Sequence, residues 1–204
     1  MKQILLLSAA ALLASTTAFA APPDQPGHQS PAPGTNNDTM STVKDTTSHV
    51  VGTMSAETTS SLQGFVTGAA TSDMYEVEAG KIAEKRTSNP DVKAFAEKMV
   101  HDHTATTDKL KSILGSMKHQ PAAPAHLDDR RQGLIDDLRG AKAADFDARY
   151  MSQQVDAHKE ALILMKGYAK DGDNPDVKAF AADTVPKIQE HLDMAQKIYD
   201  GMKK

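Results

Sequence analysis

The chain has no cysteine, and that absence removes a whole range of chemistry. Disulfides, thiolate catalysis, iron–sulfur clusters and a lipidated N-terminal cysteine are all excluded. Tryptophan is missing too, and aromatic residues make up only 4% of the sequence, while alanine is abundant. That composition favours helices packed closely through small side chains over a strand-rich sandwich. With a formal net charge of only −4, the chain has no basic footprint for nucleic acid. A Ser-His-Asp arrangement, a phosphate-cradling glycine loop and a dinucleotide fingerprint are all lacking. Tyr75, Tyr150, Tyr168 and Tyr199 show no nucleophile–base pairing. Glu-x-x-His, the spacing of di-iron carboxylate bundles, is absent as well.

The one long apolar run lies at the N-terminus. Lys2 precedes Ile4 to Ala14, broken only by Ser8, and Ala18-Phe19-Ala20 forms a small-x-small cleavage site. Residues 1–20 are therefore expected to be a cleavable export signal, too short to anchor in a bilayer. A Pro-, Ser- and Thr-rich stretch over 21–58 reads as a disordered tether, because it has too few large apolar residues to offset its ordering entropy. His28 and His49 in it read as incidental solvated residues. The folded domain is expected over 59–204. The expected address is periplasmic, with secretion or outer-membrane association as alternatives, and no integral membrane segment remains after cleavage.

What is present is a repeat. The octapeptide Asn-Pro-Asp-Val-Lys-Ala-Phe-Ala runs from Asn89 to Ala96 and returns without a mismatch from Asn174 to Ala181. In each copy Asn caps the first free amides, Pro occupies the first helical position, and Asp favours the positive end of the helix dipole. Periodic sequence lies on both sides of each copy, so each marks the bend of an antiparallel helix pair. Two such hairpins predict an all-α four-helix core.

The seams of the four helices alternate steps of three and four residues. The first carries Phe65, Ala69, Ser72, Glu76, Ala79 and Ala83, ending near Thr87. The second, to about Met117, carries Val92, Ala96, Met99, His103, Thr106, Leu110, Ile113 and Met117. A crossover follows between His119 and Ala144, with a short helix bearing Leu127, Arg131, Leu134 and Leu138, expected as a cover over the bundle. The next long helix, from about Asp145, presents Met151, Val155, His158, Leu162, Met165 and Ala169. The last presents Val177, Ala181, Thr184, Ile188, His191, Ala195, Ile198 and Met202, with Pro186 expected to bend it. Gly64-x-x-x-Gly68 reads as a close helix contact.

Each seam is interrupted near its middle by one titratable residue: Glu76, His103, His158 and His191. At about 1.5 Å per residue, Glu76 and His103 lie roughly 20 Å from the first bend, and the other two roughly 25 Å from the second. One layer of a carboxylate and three imidazoles across the waist follows, and it has two readings. It is a site for a transition metal such as Cu, Zn or Fe, with Met99 and Met194 as extra soft ligands, and with Asp102 and Asp156 either behind His103 and His158 or in ordinary surface roles. Or it is a set of hydrogen-bonded core polar groups that fix helix register, with the methionines filling gaps. Glu78 and His101 point away from the seams.

Several blocks also carry a resemblance. Met74-Tyr75-Glu76-Val77-Glu78-Ala79-Gly80-Lys81, Val92 to Ala96 with Met99-Val100 and Asp102-His103, Phe146-Asp147 with Tyr150-Met151, and Val185-Pro186 followed by His191-Leu192 resemble the exported bacterial family "domain of unknown function 4142". The similarity runs from about Leu62 to Tyr199. It implies a ferritin-like four-helix bundle with a short crossover helix, and supports a metal only by analogy. At Ala157 the sequence departs from the family pattern, in which an Asp directly precedes this histidine; here Asp156 precedes His158 by two. Three functions stay open: a non-enzymatic exported bundle with a metal layer, a ferritin-like metalloprotein acting on iron or copper, and a structural or interaction module of the envelope with an unidentified partner.

Overall fold

Asn89 and Asn174 act as the helix caps their sequence demands. The Asn89 side chain accepts from the amides of Asp91 at 2.9 Å and Val92 at 3.4 Å. The Asn174 side chain accepts from Asp176 and Val177, both at 3.1 Å. In the computed structural model, which describes residues 60–203, five helices form and no strand occurs among the described residues. They are α1 (Leu62–Arg86), α2 (Pro90–Gly115), α3 (Asp129–Gly140), α4 (Ala143–Asp171) and α5 (Pro175–Met202). The expected export signal with its cut before Ala21, the tether, His28 and His49 lie outside the described residues. No described helix is long and apolar enough to cross a membrane.

Contacts fix the topology. Besides pairing within each hairpin, α1 packs on α4 and α2 on α5. Phe65 stacks on Tyr168 and Tyr75 bonds Gln153, so α1 and α4 run antiparallel. Lys109 meets Asp183 while Asp102 meets His191, so α2 and α5 do too. The order is therefore up, down, down, up, which requires the chain to return the length of the bundle between α2 and α4. The crossover does this along α1. Near its start, Ala122 exchanges hydrogen bonds with the Gln63 side chain, at 2.8 and 3.1 Å. At its end, Arg86 donates to the carbonyls of Leu138, Arg139 and Ala141 and lies 4.5 Å over the Phe146 ring. A single long crossover of this kind is the connectivity of ferritin-like bundles.

The short helix α3 is anchored as well as laid on. Leu134, Ile135 and Leu138 join Tyr75, Phe146 and Tyr150 in one buried cluster. Arg130 grips Glu160 of α4 with two bonds, at 3.0 and 2.8 Å. Helix α4 starts two residues before the expected Asp145, and α2 ends at Gly115, short of Met117. Pro186 lies inside α5, which continues helically past it. Helices α1 and α2 approach closely at Gly80, where an added Cβ would stand 2.7 Å from Val100 Cγ2 and 3.1 Å from the Ala96 carbonyl. Gly68 faces Leu164 more loosely, at 3.0 Å on the same measure. Two large apolar clusters fill the bundle, one around Tyr75, Phe95 and Tyr150, the other around Phe65, Leu110 and Tyr168, with a smaller third of Ala161, Leu162 and Ile188.

Candidate metal centre

Between those clusters lies a polar layer. His103 from α2, His158 from α4 and His191 from α5 are each 2% exposed or less. Their ring centroids are 5.6, 5.6 and 5.5 Å apart, and one ligating nitrogen from each lies within 4.8 Å of the others.

Each imidazole is held from behind. His103 Nδ1 meets Asp73 Oδ1 at 2.8 Å, His158 Nδ1 meets the Gln154 carbonyl at 2.8 Å, and His191 Nε2 meets Asp102 Oδ2 at 2.9 Å. Because a carbonyl or carboxylate can only accept, each of these nitrogens carries the proton in the neutral ring. The other nitrogens are then lone-pair acceptors: His103 Nε2, His158 Nε2 and His191 Nδ1. All three are buried and have no protein partner. A ring N–H bonded to a carboxylate or carbonyl, with the opposite nitrogen bare, is how metal-binding histidines are oriented.

The structure corrects several details of the expected constellation. Glu76 is buried at the same level but is not one of the close trio: its Oε1 stands 3.8 Å from His158 Nδ1, the outer nitrogen, and its Oε2 is unpartnered. Asp102 supports His191 instead of His103, because neighbouring positions on a helix point about 100° apart. Asp156 pairs with Lys159 at 3.4 Å, since a step of two residues turns it away from His158. Met99 is buried in the apolar cluster beside the layer, and Met194 packs half-buried on the same cluster. His101 is exposed, as expected, yet bonds Asp102 Oδ1 at 2.9 Å. Glu78 pairs with Arg139 at 2.6 Å. Asp73 is the residue that sequence reading missed. The signal was available: it lies three residues before Glu76, one turn along the same helix face.

A family model matches residues 49–198. The chain belongs to the family Domain of unknown function (DUF4142). No curated protein matches it in sequence. Among solved structures, this DUF4142 domain is similar in fold to CopM in the Cu(II)-bound form, with a TM-score of 0.60 and 14% identity. The match covers 70% of this chain and 97% of that one. CopM in the Cu(I)-bound form is similar to the same extent, with a TM-score of 0.58 and 15% identity over the same shares.

Burial sets the protonation of the DUF4142 layer. It pushes Glu76 up from 4.5 to about 7, with the charge of His103 opposing. Burial also drives His158 well below 6.5, helped by the neighbouring His103 and His191. His191 falls to about 4 through burial and His103, although Asp102 pulls the other way. For His103 burial is again the largest single influence and favours the neutral ring. The hydrogen bond and charge of Asp73, with Glu76 and Asp102, outweigh it and raise the pKa. Burial raises the pKa of Asp102, but hydrogen bonds from His101, Lys98 and His191 outweigh it and lower the carboxyl well below its usual range. Two of the three imidazoles are therefore neutral at pH 7, the form that ligates.

Proposed function

We propose that this protein is an exported metal-holding bundle of the cell envelope, binding one transition-metal ion, copper in the first instance, through His103, His158 and His191. The observation that carries the reading is the pattern of imidazole hydrogen bonds. All three outer nitrogens are satisfied while all three inner nitrogens are bare and buried. Leaving three such atoms together without a partner is unfavourable, by roughly 1–3 kcal/mol each. An all-imidazole donor set suits Zn, Cu, Fe or Ni, and similarity in fold to copper-bound CopM puts copper first. The fit is near but not closed. Nitrogens around a tetrahedral ion at about 2.0 Å stand about 3.3 Å apart, against the 4.8 Å limit of this trio. Small inward shifts of the three rings would close it. Nothing in the layer points to a reaction, so the role proposed is holding the metal.

The test is elemental analysis of untagged protein together with thermal melts of metal-free protein titrated with Cu(I), Cu(II), Zn(II) or Fe(II). An ion at about 100 times its Kd adds about 2.7 kcal/mol, or roughly 5–10 °C for a domain of this size. His158→Ala should abolish the gain. If no ion co-purifies and none moves the melting point, the layer is structural polar packing.

A further inference from the structure

The trio is buried, so an ion must reach it through a seam between helices. The three outer supports of the imidazoles differ in what they meet. Gln154 offers a backbone carbonyl inside α4. Asp102 meets Lys98 Nζ at 3.0 Å and Lys187 Nζ at 3.5 Å, so two ammonium groups stand where a cation would approach. Asp73 is itself buried, at 3% exposure, but lies beside an open cleft. It forms part of the wall of a cleft of about 590 Å³ between α1 and α2, flanked by residues 125–127 of the crossover. Its Oδ2 accepts from the Thr107 hydroxyl at 2.9 Å, while its Oδ1 holds His103 at 2.8 Å. The Asp73 carboxylate and the edge of the His103 ring it holds thus lie between the cleft and the bare nitrogens. Around it the cleft carries Asp108, Glu78 (which pairs with Arg139), Lys81 and Lys111, with His126 in the crossover wall; unlike Asp102, Asp73 is bonded to Thr107 and His103 and not to a lysine. A second groove, of about 420 Å³ beside Pro186 and Lys197, includes no residue bonded to a trio imidazole.

We propose that the cleft over Asp73 is the way in for the metal: a hydrated transition-metal cation gathers among its carboxylates and His126 and passes Asp73 to reach the three bare nitrogens. The proposal rests on the metal reading above, and its test separates the two. Thr104 lines the cleft and is exposed, so Thr104→Trp places an indole in the passage without touching the core. Lys197→Trp does the same in the second groove, where position 197 is also exposed. Cu(II) loading of metal-free protein is followed by stopped-flow absorbance, and Kd is measured at equilibrium. Thr104→Trp should slow loading by about one decade, the lower end of the range over which related variants differ in association rate. Its Kd should be unchanged, and Lys197→Trp should load like wild type. Asp108→Asn should also load more slowly and lose part of the salt dependence of the rate. If Lys197→Trp is the slow variant, or neither indole changes the rate, the route is wrong although the site stands. A wild-type protein that takes up no ion at equilibrium overturns the site and the route together.

Discussion

Replacing Glu76 by Gln in the metal-free protein should stabilise it at alkaline pH and do little at acid pH. The carboxyl is fully buried, and burial moves its pKa from 4.5 to about 7. The folded state therefore holds the proton more tightly than the unfolded chain. That contribution to stability is complete below about pH 4.5 and is lost as pH rises through 7. At about 1.4 kcal/mol per pH unit, the interval from 4.5 to about 7 amounts to roughly 3 kcal/mol. By the same linkage, most of it, roughly 2–3 kcal/mol, disappears between pH 5 and pH 8. Gln keeps the shape and cannot ionise. Urea unfolding in the presence of a chelator, at pH 5 and pH 8, gives the four stabilities needed. The Gln variant should gain on wild type by roughly 2–3 kcal/mol between the two pH values. A water lodged beside Glu76 would lower that figure without reversing its sign. If Glu76→Gln instead destabilises at both pH values alike, Glu76 is ionised and paired with a protonated His103, and the argument from burial is refuted.

Three further outcomes are expected. Asp73→Asn removes the charge that orients His103, and should weaken metal binding about 10–100-fold with the helical circular-dichroism spectrum unchanged; undiminished affinity would mean that packing alone orients the ring. Asn89→Ala and Asn174→Ala should each lower the stability by about 1 kcal/mol in urea, and the double variant should lose the sum, since well-separated sites act additively; no loss would mean the caps are redundant. Mass spectrometry of envelope-purified protein should find Ala21 as the first residue, and retention of Met1 would remove the export reading.

The sequence by itself determined the hairpins. Capping by Asn89 and Asn174 involves amides two and three residues away, so it depends on nothing distant. It also determined the level of the polar layer, because helical rise is constant and depth follows from counting residues back from each bend. His103, His158 and His191 met for that reason, as inward positions at one height on three helices. Which acceptor stands behind each imidazole was a different matter. Asp102, Asp156 and Asp73 all lie near the layer in sequence. Local helical spacing already sends Asp156 to Lys159, three residues on, but only the rotation and spacing of packed helices sent Asp102 to His191 and Asp73 across from α1 to His103. The same packing left Glu76 beside the trio instead of inside it. It also laid the crossover along α1, tied by Arg86 and Gln63, where it helps to form the cleft over Asp73. Side-chain partners more than a turn apart are set by tertiary geometry, to which local periodicity is blind.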